Sequence, residues 1–211
     1  VIWDHDGTSP KYIKTSFMPE YNLYQMKPLE IKGNPVFNMK YLYTAAHKEV
    51  VENLYKFADE YLAWINLREE ESEEESYKAY KEVAKTNLDK CRHIEGRIRY
   101  AISLLEKEDS VAWKAFRYAN EAMYLQRYKS IEKQNAMNGT DAEIDDGKIN
   151  WYPFQLAFVI MEIPSFVEPE GDDRTIVDLL WFPTGGGKTE AYLGISAFEI
   201  FYRRLSDPEH C

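Results

Sequence analysis

The sequence predicts a mainly α protein with a partial α/β unit: a helical bundle or hairpin, then a strand, a glycine-rich loop and a helix that would open a parallel sheet. Three observations predict this. Apolar residues recur at spacings of three and four over most of residues 37–133, the signature of helices with one buried face. The run Ile176-Val177-Asp178-Leu179-Leu180-Trp181-Phe182 is short, mostly apolar and bounded by turn residues, as a strand buried on both faces would be. Between that run and a further helical stripe stand three consecutive glycines, Gly185, Gly186 and Gly187, followed by Lys188 and Thr189.

In chain order, residues 1–36 carry Gly7, Pro10, Pro19, Pro28, Gly33 and Pro35 among scattered aromatics, which predicts an extended lead with at most short strands. Residues 37–133 form the predicted helical domain. Val51, Leu54, Tyr55, Ala58, Tyr61, Leu62 and Ile65 share one stripe of a first helix, expected over about residues 37–68. The run Glu69-Glu70-Glu71-Ser72-Glu73-Glu74-Glu75 repels itself and stays solvated, so it is read as the bend into a second helix over about residues 76–106. That helix places Leu88, Cys91, Ile94, Ile98, Ala101 and Leu105 on one side and is expected to lie antiparallel to the first. Asp109 or Ser110 can cap a third helix with Ala112, Phe116, Ala119 and Met123 on its stripe. Residues 134–150, rich in Asn, Asp and Gly, are expected to be a flexible loop, and residues 151–211 the truncated start of a nucleotide-binding domain. With no Met at Val1 and a helical pattern closing shortly before Cys211, the chain reads as the front portion of a longer protein.

Composition narrows the function. Of 211 residues, 26 are Lys or Arg and 36 Asp or Glu, a formal net charge of -10, which is the wrong sign for a module devoted to neutralising nucleic-acid phosphates. Any grip on DNA is therefore expected to be local or to lie outside this stretch. Two cysteines, Cys91 and Cys211, offer no disulfide framework and fit a reducing compartment; Cys91 and His93, and His5 between two aspartates, lack the partners of a metal site. No apolar stretch approaches the ~20 residues of a membrane span, so the expected location is cytoplasmic, away from membranes.

Pro183-Thr184-Gly185-Gly186-Gly187-Lys188-Thr189 carries the chemistry. Glycines let successive amides turn toward one point and form an anion nest, and a helix starting there adds the positive end of its dipole. In that arrangement Thr184, Gly185, Gly186, Gly187, Lys188 and Thr189 would hold the phosphates of ATP. Lys188 would reach the β- and γ-phosphates and the Thr189 hydroxyl would coordinate Mg2+. The general phosphate-loop pattern has glycine five residues before Gly187, where this chain has Phe182. That departure resembles the superfamily 2 helicases, whose loop commonly reads Pro-Thr-Gly-x-Gly-Lys-Thr and begins a RecA-like domain. Tyr152-Pro153-Phe154-Gln155 resembles their upstream glutamine motif, which implies that Gln155 pairs with the adenine edge while an aromatic stacks on the base.

The stretch from Asp178 through Thr189 to Gly194, together with Ala115-Phe116-Arg117-Tyr118-Ala119-Asn120-Glu121-Ala122-Met123-Tyr124-Leu125-Gln126-Arg127 and Pro153-Phe154-Gln155-Leu156-Ala157-Phe158, resembles the helicase subunits of the bacterial DISARM anti-phage defence system. The resemblance implies an ATP-dependent DNA helicase or translocase acting with a partner DISARM subunit. No Asp-Glu box to hold Mg2+ and no arginine finger follows within the chain, so this stretch alone is expected to be inactive. A nucleotide-sensing or partner-binding helical module without motor activity is the alternative, since residues 37–133 carry no recognisable chemistry.

Overall fold

A computed structural model of the chain describes residues 2–5, 10–14, 33–140, 142–181 and 185–209. Two short strands, β1 (Ile2–His5) and β2 (Pro10–Lys14), pair antiparallel with Trp3 opposite Ile13. After a 3-10 turn at Pro35–Phe37, six α-helices follow among the described residues: α1 (Met39–Thr44), α2 (His47–Ser72), α3 (Lys81–Ser103), α4 (Val111–Met137), α5 (Pro153–Val167) and α6 (Lys188–Ser206).

The predicted first helix is two. Neither Ala45 nor Ala46 is a helix breaker, yet both take extended backbone (ψ 163 and 139) and separate α1 from α2. The cause is remote in sequence: Arg117 on α4 donates two hydrogen bonds, of 3.1 and 2.6 Å, to the carbonyl of Tyr43, satisfying an acceptor that a continuing helix would have used. α1 then lies against α4, while α2 lies against α3. Side-chain pairs across the α2/α3 interface run in opposite chain order, Arg92 to Asn66 and Glu69, Arg99 to Asp59, and Glu106 beyond α3 to Tyr55, so these two helices are antiparallel. The acidic run ends α2 rather than unwinding it. Arg92 pairs with Glu69, Arg68 with Glu71 and Lys81 with Glu73, and the bend falls at Glu73. Ser110 caps α4 by accepting from the Trp113 amide at 3.1 Å.

One apolar cluster joins all six helices. Leu42, Leu54, Ile98, Ile102, Phe116, Ile160, Ala191 and Phe198 are each at most 2% exposed within it. α6 rests on α4 and α5. Its approach requires Gly194, where a Cβ would stand 2.8 Å from the Trp151 ring and 3.1 Å from Val159. Trp151 itself is fixed by a buried polar chain: its Nε1 donates to Asn120 Oδ1 (2.8 Å), and Asn120 Nδ2 donates to the Phe116 carbonyl (2.8 Å).

Residues 142–150 close onto the helices, with Asp146 as the main hub. Asp146 accepts from Lys40 and from the Tyr124 hydroxyl, and its carbonyl accepts from Asn38 Nδ2 at 2.8 Å. These bonds hold the Asp146 carboxyl below the usual aspartate range. Ile149 is fully buried, and Asn38 bridges antiparallel to Asn150.

The parallel-sheet start predicted for residues 176–182 is not what the chain forms. Phe182 lies outside the described residues, and residues 176–181 pair with no strand; the sheet found among the described residues is β1 with β2. The run keeps its local preference for extended backbone, with ψ 136 at Ile176, but its side chains alternate. Val177, Leu179 and Trp181 are 95, 84 and 69% exposed, whereas Asp178 and Leu180 are partly buried. Apolar composition favours extended backbone, but a ladder additionally needs a neighbouring strand, and among the described residues none pairs with residues 176–181.

Candidate functional site

The predicted phosphate loop ends where α6 begins. Gly185 (φ 81) and Gly187 (φ 89) both occupy the left-handed region, and Gly187, which has no side chain of its own to cap with, is the residue immediately preceding the helix. The chain from residue 185 onward thus leads directly into the positive end of a 19-residue helix, a junction suited to an anion. Lys188 and Thr189 open α6, Lys188 half-buried and Thr189 exposed. Thr184 lies outside the described residues. Glu190, also in the first turn, brings a carboxylate to the same junction.

Gln155 meets this loop from α5. It is 3% exposed and both ends of its amide are engaged: Oε1 accepts from the Tyr152 amide (2.7 Å), and Nε2 donates to the Gly187 carbonyl (2.6 Å). The first bond is half of a capping box at the α5 start. The second is a direct tie between the two motifs picked out from the sequence, 32 residues apart. Contact is so close that a Cβ on Gly187 would stand 2.5 Å from Gln155 Nε2.

Sequence reasoning missed a second anchor upstream of the loop. Arg97 on α3 is 6% exposed, and its two terminal nitrogens donate to the two carboxylate oxygens of Asp178 at 2.9 and 2.8 Å, with Asp173 Oδ1 at 3.3 Å from Nε. Glu162 on α5 faces the same carboxylates. Burial, then the charge and hydrogen bond of Asp178, push the Glu162 carboxyl up to about 7, whereas the Arg97 hydrogen bond holds Asp178 below its ordinary range. A signal was present: Arg97 shares the buried stripe of Ile94, Ile98 and Ala101, and a charge on such a stripe requires a partner.

Beside residues 178–180 an apolar cavity of about 670 Å³ opens between α2, α3 and α5, lined by Phe57, Tyr61, Trp64, Phe154 and Phe158 among others. Tyr61 and Trp64 stack at 5.9 Å. Among the described residues no group of three or more His, Cys, Asp or Glu could hold a metal, and no helix is long and apolar enough to cross a membrane.

No protein-family model matches the chain. A curated protein does: DISARM protein DrmA of Bacillus paralicheniformis is 36% identical across 97% of the chain. The chain is a relative of DISARM protein DrmA. It spans 19% of the length of that relative, so the glycine loop, the Gln155 tie and the Arg97 cluster sit in a stretch homologous to about a fifth of DrmA.

Proposed function

We propose that this chain supplies the ATP phosphate-binding loop of a longer ATP-dependent DNA helicase or translocase acting in bacterial anti-phage defence alongside other DISARM subunits. The observation that carries the reading is the junction at residues 185–189, where two left-handed glycines deliver the chain into the amino end of α6 with Lys188 and Thr189 as its first residues. Such a junction concentrates N–H donors and positive potential where a triphosphate would end. Kinship with DISARM protein DrmA supports the defence setting.

The residues present fit MgATP as far as phosphate binding goes. Lys188 would neutralise the β- and γ-phosphates and Thr189 would present its hydroxyl to Mg2+; the metal would supply charge stabilisation of the transferring group. An adenine contact by Gln155 would have to take over one of its present bonds, to Tyr152 or to Gly187, so base binding and the loop would be linked through one amide. With a net charge of -10, this stretch is a poor DNA-binding surface, and DNA contact is assigned to the remainder of the longer protein.

The test is Lys188→Ala in the full-length protein, assayed for DNA-stimulated ATP hydrolysis. Turnover is expected to fall by about two orders of magnitude or more. Near-normal turnover would remove Lys188 from the site. DNA-independent ATP binding without turnover in the wild type would favour the nucleotide-sensing module instead.

A further inference from the structure

The Arg97 cluster ties α3 to the segment that leads into the glycine loop. A guanidinium at 6% exposure has lost most of its hydration, and its compensation comes from Asp173 and Asp178 in the segment leading to the glycine loop. Asp178 stands seven positions ahead of Gly185. At the other side of the loop, Gln155 holds the Gly187 carbonyl. Among the described residues of this stretch, Asp173 and Asp178 are held to α3 through Arg97, Leu180 packs against the core, and Gly187 is held to α5 through Gln155. The outward side chains Val177, Leu179 and Trp181 add little hold, since each is at least 69% exposed.

We propose that Arg97 is a positioning residue for the glycine loop, setting through its forked bonds to Asp178 and its contact with Asp173 where the chain approaches residues 185–189, and thereby coupling the α2/α3 pair to the nucleotide site. The part of this proposal that concerns nucleotide rests on reading residues 185–189 as a phosphate loop. The fork geometry matters as well as the charge: a lysine ammonium is a point charge that cannot satisfy both Asp178 oxygens along parallel bonds. Charged and titratable groups facing the cluster are Glu162 from α5, His93 from the preceding turn of α3, and Asp173 beside Asp178. All except His93 are acids, so removing the guanidinium leaves several carboxylates without their common cation.

The experiment uses the full-length protein and the variants Arg97→Met, Arg97→Lys and Asp178→Asn. Amide hydrogen exchange over residues 185–193 and over residues 113–124 of α4 is measured together with MgATP affinity and the KM and kcat of hydrolysis. Arg97→Met is expected to speed exchange over 185–193 by at least about tenfold with 113–124 unchanged, and to raise the Kd and KM for ATP by a similar factor with kcat less affected. Arg97→Lys should fall between. If Arg97→Met does not fold, Asp178→Asn, which keeps the side-chain shape, decides the matter by the same readout. Unchanged exchange over 185–193 in a folded variant, or equal acceleration in α4, overturns the proposal. A wild type that fails to bind MgATP defeats the phosphate-loop reading instead, and the exchange data still decide whether Arg97 positions the loop.

Discussion

At the scale of single residues, the glycines divide into those the sequence makes readable and those it does not. Gly185, Gly186, Gly187, Lys188 and Thr189 stand together, and their order alone indicates an anion nest; the structure adds that Gly187 has φ 89 and lies against Gln155. That contact was not legible, because nothing in the spacing of residues 155 and 187 says that a carbonyl and an amide meet. It makes Gly187→Ala informative. A Cβ there would combine a left-handed backbone with an approach of 2.5 Å to Gln155 Nε2, so the variant should lose about 1–3 kcal/mol of stability, read as a lower urea midpoint. An unchanged midpoint would mean that the tie between α5 and the loop is not formed in solution. Arg97 was passed over for a related reason: periodicity marks a position as buried, but which acid answers a buried cation is decided 81 residues away.

Elements were legible where one physical cause dominates. The stripes of α2, α3 and α4 and the Ser110 cap are local features, and local features survive into the fold. The break at Ala45 and the missing sheet have non-local causes, an arginine on α4 and the lack of a partner strand among the described residues. Between α3 and α5 the electrostatics yield a pH dependence. Glu162, ordinarily near 4.5, is raised to about 7 by burial and by Asp178, so between those values the folded chain binds a proton that the unfolded chain has released. Stability then falls as pH rises through that window and levels off above it. Asp178 is shifted the opposite way, and the stability it contributes disappears only as pH falls below the ordinary aspartate range. Glu162→Gln should therefore flatten the decline in urea midpoint between about pH 5 and pH 7, while leaving any loss in stronger acid in place. A slope identical to wild type would show that Glu162 is ionised throughout.

The whole molecule presents two contrasting surfaces. Its net charge of -10 keeps copies apart, yet Val177, Leu179 and Trp181 display apolar side chains in a row along one extended segment, next to the cavity of about 670 Å³. Rows of this kind bind something or cause association. The isolated chain should bind an apolar dye such as anilinonaphthalene sulfonate, and replacing Val177, Leu179 and Trp181 together by Ser should cut that fluorescence by about half or more. Undiminished fluorescence in the triple variant would place the dye elsewhere.

The meeting of residues 37–39 with residues 149–151 has a mechanical consequence. The Trp151 amide donates to the Phe37 carbonyl at 2.7 Å, the Met39 amide to the Ile149 carbonyl at 3.1 Å, and Asn38 Nδ2 to Asn150 Oδ1 at 3.0 Å across 112 positions. Helices α1 to α4 are thus an excursion that returns to its own starting point, tied off like a noose at its neck. Traction along the backbone, from the chain before Pro35 to α5 and α6, would be borne first by this neck in shear. The backbone of α1 to α4 beyond it would be stretched only after the neck gave way, although their packing against α5 and α6 would be sheared alongside it.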